Sequence, residues 1–483
     1  MLFAAAERHG GNGTTQGSSP TYTYRKDNSM TDNLSQLFSQ KIFLSGIGGV
    51  SMNGLARMLK HMGAQVFGSD ANPGQTVALL REQGITVFMG HAEKNIEGAQ
   101  AVIRTAAIHD DNPEILAARR NNIPVYERAQ VWGYIMSRFA SCICVAGTHG
   151  KTSTTAMSAK IALESGLDPT VMVGAEVLDI TGGLRIGSDR LFVAEACEYS
   201  RSFLQFTPTT AVILNVETDH LDYFSGIDEI IECFKQFALL VPKDTGLVLV
   251  NGDDKNALAA AQGLDRRVLT FGLASKCDYT ARDAKPGKPG FEYKLFKGDE
   301  FICDIALKTP GIYNAYNSLA ATAAMLENGA TVSGVQTALA AFTGAQRRFQ
   351  YKGRVNGAMV YDDYAHHPTE IAVTLTAAKT MGYKRVICAF QSHTYSRTFK
   401  LKEDFVTALD IADITLVAPI YAAREKNTYG ISGLDLVDQL CGGEYFESFE
   451  QIENRLLELA QPGDLILTMG AGDIFKVAEK IIE

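Results

Sequence analysis

The stretch VAGTHGKTSTT at residues 145–155 decides how the rest of the sequence is interpreted. An apolar run at residues 140–145 leads into it and predicts a short buried strand. Residues 156–164 follow it, contain no Pro or Gly, and predict a helix. Strand, glycine loop, Lys-Thr and helix in this order are typical of a phosphate-binding loop, in which backbone N–H groups and a helix N-terminus face the phosphates.

The side chains of this loop predict the binding of a nucleotide together with Mg²⁺. Lys151 adds a full positive charge beside the phosphates, and the Thr152 hydroxyl can bind Mg²⁺. The common fingerprint has another Gly five residues before Gly150, where this chain has Val145. An ordinary strand-to-helix turn with a surface lysine is the alternative, but the spacing Gly-x-x-Gly-Lys-Thr favours a phosphate loop. The predicted nucleotide-binding residues here are Gly147, Thr148, His149, Gly150, Lys151, Thr152 and Ser153.

Length and composition indicate a globular protein of about three domains. The chain has 483 residues, of which 46% are hydrophobic and 20% are charged. Its net charge of −9 argues against a nucleic-acid-binding surface, and no apolar run has the length of a membrane span, so we expect a cytoplasmic enzyme. The eight Cys include no C-x-x-C pair, and Cys142 and Cys144 are predicted to be buried thiols. Residues 1–37, which begin with a Gly-, Ser- and Thr-rich stretch, are predicted to be a disordered extension.

Residues 38–138 predict a first α/β domain that binds a nucleotide-linked substrate. A strand at 41–45, a turn of sequence GIGG, a helix at 52–62 and a strand at 65–68 resemble a Rossmann-type opening. The spacing G-x-G-G is only a partial dinucleotide signal, so a nucleotide sugar fits as well as NAD. The candidate residues lie in the glycine turn or beyond strand ends: Gly46, Gly48, Gly49, Val50, Ser51, Ser69, Asp70, His91 and Thr105.

Residues 139–345 predict a central α/β domain around the phosphate loop. Two apolar runs end near acids, and Glu195 is the better Mg²⁺ candidate from the first, with Glu198 as the alternative. His220 follows the second run, but Mg²⁺ prefers oxygen ligands, so on physical grounds alone we discount it. Residues 278–305 predict β-hairpins. Asn314 and Asn317, before a helix at 318–326, either read an adenine edge or cap the helix.

Residues 346–483 predict a third α/β domain, in which polar residues follow apolar strands. Such residues collect at the carboxyl edge of a parallel sheet, where open α/β folds place their ligands. Two adjacent histidines and His393 suggest zinc, but the spacing fits no structural zinc pattern. Anion binding by Arg397, with Asp363 accepting a hydrogen bond or balancing the charge, is the simpler interpretation.

Taken together, the chain resembles the Mur ligases of peptidoglycan synthesis over essentially all of residues 30–483. The resemblance rests on these motifs, in chain order: GIGGVSMNGLA, GTHGKTST, AEACEYS, NVETDHLD, PGIYNAYNSLAA, RRF, YDDYAHHP, FQSHTYSRT and GAGDI. It implies three Rossmann-like domains and an ATP-dependent ligation of L-alanine to the carboxylate of UDP-N-acetylmuramate. It also implies an acyl-phosphate intermediate, with ATP and Mg²⁺ as cofactors. The implied partners are small-molecule substrates, with neither nucleic acid nor membrane, and the implied assembly is a monomer or a weak homodimer.

The same resemblance implies a role for each candidate residue. Lys151 neutralises the γ-phosphate during transfer, and the metal residues are Thr152, Glu195 and, against the physical discount above, His220. The nucleotide-contacting residues outside the phosphate loop are Asn314, Asn317 and Arg348. The residues that hold the amino acid and the intermediate, and with Lys151 act in catalysis, are Asp363, His366 and Arg397. The glycine turn with Ser69, Asp70, His91 and Thr105 holds the UDP part.

Three other functions stay open at this point. A ligase of the same family that recycles a tripeptide onto UDP-N-acetylmuramate would share the nucleotide sites and differ in the last domain. A dinucleotide-dependent oxidoreductase is supported only by the glycine turn near Gly46. A non-catalytic nucleotide-binding protein would turn over no ATP with any amino acid.

Overall fold

The computed structural model describes residues 34, 36–105, 107–174, 180, 183–220, 223–274, 276–287, 290–423 and 425–482, and for Val50 the backbone only. Most of the predicted N-terminal extension lies outside these residues. Within the described part of the chain, the strands form three sheets of five, ten and six strands, each flanked by helices. The predicted α/β fold with three sheet-containing domains is therefore confirmed.

The first sheet is wholly parallel, with strand order β3-β2-β1-β4-β5. Its strands are β1 (Lys41–Ser45), β2 (Gln65–Asp70), β3 (Thr86–Met89), β4 (Ala101–Arg104) and β5 (Val125–Glu127). The helices around it are α1 (Val50–His61), α2 (Gln75–Glu82), α3 (Pro113–Arg120) and α4 (Arg128–Met136), with 3₁₀ turns at Gln36–Ser39 and Glu93–Ile96. Helix α1 begins two residues before its predicted start, directly after the glycine turn. Because β2 is longer than predicted, Ser69 and Asp70 are its last two residues.

Two leucines just before the predicted start of this domain at residue 38 are buried. Leu34 and Leu37 are 5% and 0% exposed and belong to the apolar core of the first sheet. Burial of these two leucines is favourable because it removes apolar surface from water.

The second sheet has ten strands in the order β15-β14-β13-β12-β11-β10-β6-β9-β7-β8. Its strands are β6 (Ser141–Ala146), β7 (Thr170–Met172), β8 (Leu184–Arg185), β9 (Leu191–Glu195), β10 (Thr210–Ile213), β11 (Leu247–Asn251), β12 (Arg267–Gly272), β13 (Tyr279–Gly287), β14 (Gly290–Lys297) and β15 (Glu300–Leu307). The helices are α5 (Lys151–Glu164), α6 (Ile227–Leu239), α7 (Lys255–Ala261), α8 (Ile312–Glu327) and α9 (Val332–Ala341), with a 3₁₀ segment at Tyr199–Gln205. Strands β13, β14 and β15 are antiparallel, which confirms the predicted hairpins.

The third sheet has six strands in the order β16-β17-β21-β18-β19-β20, and only β16 is antiparallel. Its strands are β16 (Gln350–Val355), β17 (Ala358–Asp363), β18 (Arg385–Phe390), β19 (Ile414–Val417), β20 (Gly443–Tyr445) and β21 (Asp464–Met469). The helices are α10 (Pro368–Thr380), α11 (Tyr395–Lys400), α12 (Lys402–Leu409), α13 (Leu434–Val437), α14 (Phe449–Leu459) and α15 (Phe475–Ile481). The histidine motif, His366-His367, follows β17, and the segment with His393 and Arg397 follows β18. Both lie at the carboxyl edge of the sheet, as predicted.

The three domains are joined in two different ways. The first and second share one apolar core, in which the rings of Trp132 and Phe192 meet edge to face with centroids 5.9 Å apart. The third has cores of its own on both faces of its sheet. Its described contacts to the central domain near the phosphate loop are polar, as between Thr369 and Glu217 at 2.9 Å. Polar interfaces between domains permit relative motion more readily than a shared apolar core does.

Two smaller expectations can be compared with the structure. In the described part of the chain, no helix has both the length and the apolar character needed to cross a bilayer. Cys142 and Cys144 are buried free thiols in β6, as predicted.

Candidate active site

The phosphate loop connects β6 to α5, and its geometry depends on Gly150. Gly150 is the N-cap of α5 with a φ of +85°, a left-handed conformation that favours glycine. The helix therefore begins at Lys151, five residues before its predicted start. The sequence prediction was late because the threonines at 152, 154 and 155 are weak helix formers. All three are buried in the fold.

Lys151 is held at the centre of the loop. Its Nζ donates to the carbonyl oxygens of Gly147 and Thr148 and to Glu198 Oε2 at 3.0 Å. Burial would lower the pKa of Lys151, but the Glu198 carboxylate outweighs it and raises that pKa above its ordinary value. The lysine therefore stays positively charged at the point where phosphate groups would approach.

Carboxylates at the end of β9 lie beside the loop and fit a hard cation. Thr152 Oγ1 lies 3.1 Å from Glu195 Oε2, which also accepts from the backbone N–H of Gly174. His220 Nε2 is farther off, 3.9 Å from Glu198 Oε1. Mg²⁺ prefers hydroxyl and carboxylate oxygens as ligands. Of the three predicted metal ligands, Thr152 and Glu195 therefore fit Mg²⁺ better than His220 does.

A cavity of about 210 Å³ joins the loop to the predicted adenine residues. Asn314 and Asn317 lie one turn apart on α8 and line this cavity with Arg348. Because α8 begins at Ile312 with Gly311 as N-cap and no side-chain cap, the capping alternative for the two asparagines is wrong. Other lining residues come from the loop and from α10: His149, Gly150, Ser153, Thr369, Glu370, Val373 and Thr374.

His149 lies between two carboxylates at one end of that cavity. Its Nδ1 donates to Glu370 Oε1 at 3.0 Å, and its Nε2 is 3.5 Å from Glu217 Oε2. Burial opposes protonation, but Glu370 and then Glu217 raise the pKa of His149 from 6.5 to about 9. His149, Glu217 and His367 also bring three possible ligand atoms within 4.8 Å of one another. Since His149 is protonated between two carboxylates, we interpret this group as an ion-pair network.

A second cavity of about 310 Å³ lies on the other side of the loop that follows β10. Glu217 lines the first cavity, whereas Thr218, Asp219 and His220 line the second, so residues 217–220 separate the two. The second cavity is completed by the last domain and by one aromatic residue: His393, Thr394, Ser396, Arg397, Lys400, Leu401, Ala423, Glu425 and Tyr199.

The charge partner of Arg397 differs from the prediction. Arg397 pairs with Asp219, whereas both oxygens of Asp363 accept backbone N–H groups, from Phe349 and Ala365. The expectation that Asp363 balances Arg397 is therefore wrong, because the two side chains end at different cavities. Burial raises the pKa of Asp363 to about 6.

His366 lies near the second cavity as a neutral base. Its Nδ1 donates to the Tyr364 carbonyl at 3.0 Å, and its ring centroid is 5.8 Å from that of His393. Burial, opposed in part by Glu370, lowers the pKa of His366 to about 3. The imidazole is therefore uncharged at neutral pH and suited to accept or share a hydrogen bond.

The predicted UDP-binding residues come together at the carboxyl edge of the first sheet. Gly48 N–H donates to Asp70 Oδ2 at 2.8 Å, and Ser69 Oγ is 3.1 Å from His91 Nδ1. Thr105 lies beside Gly46, where a Cβ would be 3.1 Å from its methyl group. Gly49 is the N-cap of α1, and the side chain of Val50 is outside the described part of the chain.

Ser51 points to a further cavity of about 480 Å³ between the first two domains. The Ser51 hydroxyl accepts from the guanidinium of Arg128, which lines that cavity. Arg104 and Arg201 also line it, but Arg104 pairs with the lining acids Asp110 and Glu127, and Arg201 pairs with Glu229. A diphosphate bound here would have to compete with these carboxylates for the two arginines.

Sequence reasoning missed four residues that organise these sites. Glu114 is fully buried and accepts hydrogen bonds from Ser45, Ser69, His91 and Asn95. The others are Arg128, Asp219 as the partner of Arg397, and Glu370. Glu114 and Glu370 each lie in the first turn of a helix that begins with Pro. From the local sequence they resemble ordinary acidic residues that interact favourably with the helix dipole. Only their burial and long-range partners distinguish them.

Three α/β sheets, one phosphate loop and a pair of cavities divided by an acidic loop define a ligase that uses a nucleoside triphosphate. The chain belongs to the Mur ligase family, whose members are ATP-dependent ligases. The description "Mur ligase family, catalytic domain" matches residues 41–140, and "Mur ligase middle domain" matches residues 145–325. The description "Mur ligase, glutamate ligase domain" matches residues 347–472. This membership rules out the oxidoreductase alternative.

Individual relatives agree with this assignment. UDP-N-acetylmuramate–L-alanine ligase of Caldicellulosiruptor saccharolyticus is 44% identical over 448 residues, which cover 92% of this chain and 98% of that protein. The ligase of the same name from Caldanaerobacter subterraneus is 43% identical, covering 92% and 97% of the two chains. The crystal structure of UDP-N-acetylmuramate-alanine ligase from Thermotoga maritima matches with a TM-score of 0.78 at 27% identity, over 92% of this chain and 98% of that one.

Proposed function

We propose that this protein joins L-alanine to the carboxylate of UDP-N-acetylmuramate in an ATP-dependent reaction of peptidoglycan synthesis. The observation that carries the proposal is the partition of the two cavities by residues 217–220. ATP bound along the phosphate loop would place its γ-phosphate at this partition. The carboxylate and the amine would meet it from the other side. The names of the relatives supply the identities of the two substrates.

The chemistry needs an activated carboxylate, because a free carboxylate is a poor acylating agent. An oxygen of the muramate carboxylate attacks the γ-phosphorus, the bond to the β,γ-bridging oxygen breaks, and ADP leaves. The L-alanine amine then attacks the carbonyl carbon of the acyl phosphate, an amide forms, and inorganic phosphate leaves with loss of a proton from the nitrogen. Holding three reactants in one geometry supplies much of such a rate enhancement.

The residues of the phosphate loop would stabilise the charge that is transferred. Lys151 is buried and charged, so it can exchange its carbonyl and Glu198 contacts for phosphate oxygens. Mg²⁺ would be held by Thr152, Glu195 and His220 and would neutralise phosphate charge during transfer. Asn314, Asn317 and Arg348 would hold the nucleoside end in the 210 Å³ cavity.

The second cavity suits a small amino acid. Arg397 is a fixed positive group for the α-carboxylate of L-alanine, and His366 is a neutral imidazole that lies near His393 on the cavity wall. Asp363 would act through the backbone of residues 349 and 365, which it fixes. Arg128, Ser69, Asp70 and His91 would hold the UDP-linked substrate at the first domain.

Release of phosphate from ATP tests the proposal. We expect release with UDP-N-acetylmuramate, Mg²⁺ and L-alanine, and little when L-alanine is replaced by the L-alanyl-γ-D-glutamyl-diaminopimelate tripeptide. A preference for the tripeptide would instead identify a recycling ligase. Absence of release with either would support a non-catalytic nucleotide-binding protein.

A single substitution tests whether the phosphate loop is the site of phosphoryl transfer. Lys151→Ala should abolish phosphate release. Lys160, on the same helix, forms a partly exposed ion pair with Glu164, and Lys160→Ala should leave release near the wild-type rate. Circular dichroism of both variants establishes that the fold is intact. Activity of the folded Lys151→Ala protein would show that this loop is not the site of transfer.

A further inference from the structure

Glu370 reaches from the last domain to the phosphate loop of the central domain. It stands in the first turn of α10 and its side chain is 12% exposed. Oε1 accepts from His149 Nδ1 at 3.0 Å, and Oε2 accepts from the backbone N–H of His366 at 3.1 Å. One carboxylate thus joins the phosphate loop to the histidine motif.

The backbone of His149 is fixed independently of Glu370. Its N–H donates to Asn215 Oδ1 at 2.7 Å, and its carbonyl accepts from Asn215 Nδ2 at 3.1 Å. Only the ring of His149 therefore depends on the last domain. Loss of the Glu370 charge would leave the loop backbone in place and change the tautomer, orientation and charge of the imidazole.

The groups that face this imidazole come from every element packed around it. Glu217 and Glu370 contribute negative charge, and Lys151 follows two residues later in the same loop. His367 is a near neighbour, with its ring centroid 5.2 Å away, and Arg348 Nη1 is 3.9 Å from Glu370 Oε1. The two carboxylates are the closest of these charges, and of the two Glu370 makes the shorter contact to the ring.

We propose that Glu370 is a positioning residue for the use of ATP, which acts by holding the His149 imidazolium at the phosphate end of the nucleotide cavity. The inference rests on the proposed ATP-dependent function. When the last domain moves away, His149 keeps Glu217 alone and its pKa moves back towards 6.5. Docking of the last domain therefore protonates His149 beside the phosphate loop, with Glu370 as its counter-ion. A phosphate group that binds the imidazolium favours docking in return.

The pH dependence of kcat/KM for ATP tests this directly, because that ratio reports ionisations of the free enzyme. In the wild type we expect a fall above about pH 9, where His149 loses its proton. In Glu370→Gln the amide keeps the shape and can still accept a hydrogen bond, but the charge is gone. The fall should then begin at least about one pH unit lower, and the defect at pH 8 should disappear at pH 6.

Matched variants separate this effect from others. Glu479→Gln removes a carboxylate from a surface pair with Lys352 in the same domain and should keep the wild-type profile. His149→Gln should lose the fall near pH 9 altogether. Ionisations of ATP and L-alanine are common to all variants, so a difference between variants reports the protein. The KM for UDP-N-acetylmuramate should stay unchanged in Glu370→Gln.

An unshifted fall in Glu370→Gln, or a loss of activity that is equal at pH 6 and pH 8, would overturn the inference. Nitrogen-15 NMR of the histidine rings reads the pKa of His149 without any turnover and decides the question if Glu370→Gln is inactive. Failure of the proposed function is distinguishable, because the wild-type protein itself would then release no phosphate.

Discussion

Arg397 of α11 donates from Nη2 to Asp219 Oδ1 at 2.9 Å, across the boundary between the last and the central domain. The two side chains are only 11% and 12% exposed. Burial would raise the pKa of Asp219, but Arg397 and then His220 outweigh it and hold that pKa well below its ordinary value. The pair is therefore charged on both sides at neutral pH, and it fixes a guanidinium group at the wall of the second cavity.

Removal of one partner of this pair should harm both catalysis and domain docking. We expect Arg397→Ala to lower kcat/KM for L-alanine by at least about a hundredfold, because the charged group proposed to bind its carboxylate is lost. The variant should also be less stable by about 3–5 kcal/mol, because Asp219 is left as an uncompensated buried charge. The double variant with Asp219→Asn should lose less than the sum of the two single variants. A double-mutant cycle on kcat/KM measures this coupling. Strictly additive effects would mean that the pair has no energetic role.

Arg455→Ala is the control for this prediction. Arg455 forms a partly exposed pair with Glu444, so its removal should change little.

The two acids near the phosphate loop should differ in their effect on the metal requirement. Glu195 lies 3.1 Å from the Thr152 hydroxyl, whereas Glu198 pairs with Lys151. Glu195→Gln should therefore raise the Mg²⁺ concentration for half-maximal activity by about tenfold or more, equivalent to about 1.4 kcal/mol. Glu198→Gln should mainly change the KM for ATP. Titration of activity with Mg²⁺ in both variants measures the difference, and the reverse result would assign the metal to Glu198.

Glu114 should control affinity for the UDP-linked substrate without touching it. Its carboxylate is fully buried and holds Ser69 at 2.8 Å and His91 at 2.9 Å. Glu114→Ala should cost about 1–3 kcal/mol of stability per donor left unsatisfied. Glu114→Gln should fold better and raise the KM for UDP-N-acetylmuramate while leaving the KM for ATP unchanged. Steady-state kinetics with each substrate varied in turn tests this. Glu93→Gln, at an exposed pair with Arg120, is the control.

The charge of Glu327, at the end of α8, should stabilise the fold at neutral pH and lose this effect in acid. Its carboxylate accepts from Tyr279, Lys297 and Arg267. Burial would raise the pKa of Glu327, but these donors lower it from 4.5 to about 2. A carboxyl group whose pKa is lower in the folded state than in the unfolded state stabilises the fold at pH values above the unfolded-state pKa. For Glu327 this contribution is lost as the pH falls from about 4.5 towards 2. The stability advantage of the wild type over Glu327→Gln should therefore be constant from pH 7 to 5 and shrink below pH 4.5.

Urea unfolding of both proteins at several pH values measures that difference. Glu300→Gln, an exposed position in β15, serves as the control and should be as stable as the wild type at each pH. An advantage that did not decline in acid would mean that the carboxylate charge of Glu327 contributes nothing to stability.

Strands, the phosphate loop and the hairpins could be predicted from the sequence because their signals are local. The strand predicted at residues 41–45 is observed at those residues, and the hairpins predicted within 278–305 are observed as β13, β14 and β15. Helix starts were less accurate, since α5 and α8 begin at glycine caps several residues before their strongest helix formers. The backbone conformations of Gly150 and Gly311, with φ of +85° and +92°, carry no signal beyond the glycine itself.

Partners across domains could not be predicted. Arg397 was identified as an anion-binding residue, but its carboxylate partner was assigned to Asp363 of its own domain. Asp219 is 178 residues away in the chain, and only the docking of two domains brings it into contact. Glu370 and Glu114 were missed for the same reason, because each acts on a residue that the chain places far from it.

Gly150 has a consequence for how the nucleotide site can change. A Cβ at this position would overlap the side-chain oxygen of Asn317, which lines the adenine end of the same cavity. The turn proposed to receive the phosphates and the amide proposed to face the base are thus in direct contact. Any side chain at residue 150 would therefore displace Asn317 as well as strain the turn, so one substitution in the loop would disturb both ends of the cavity.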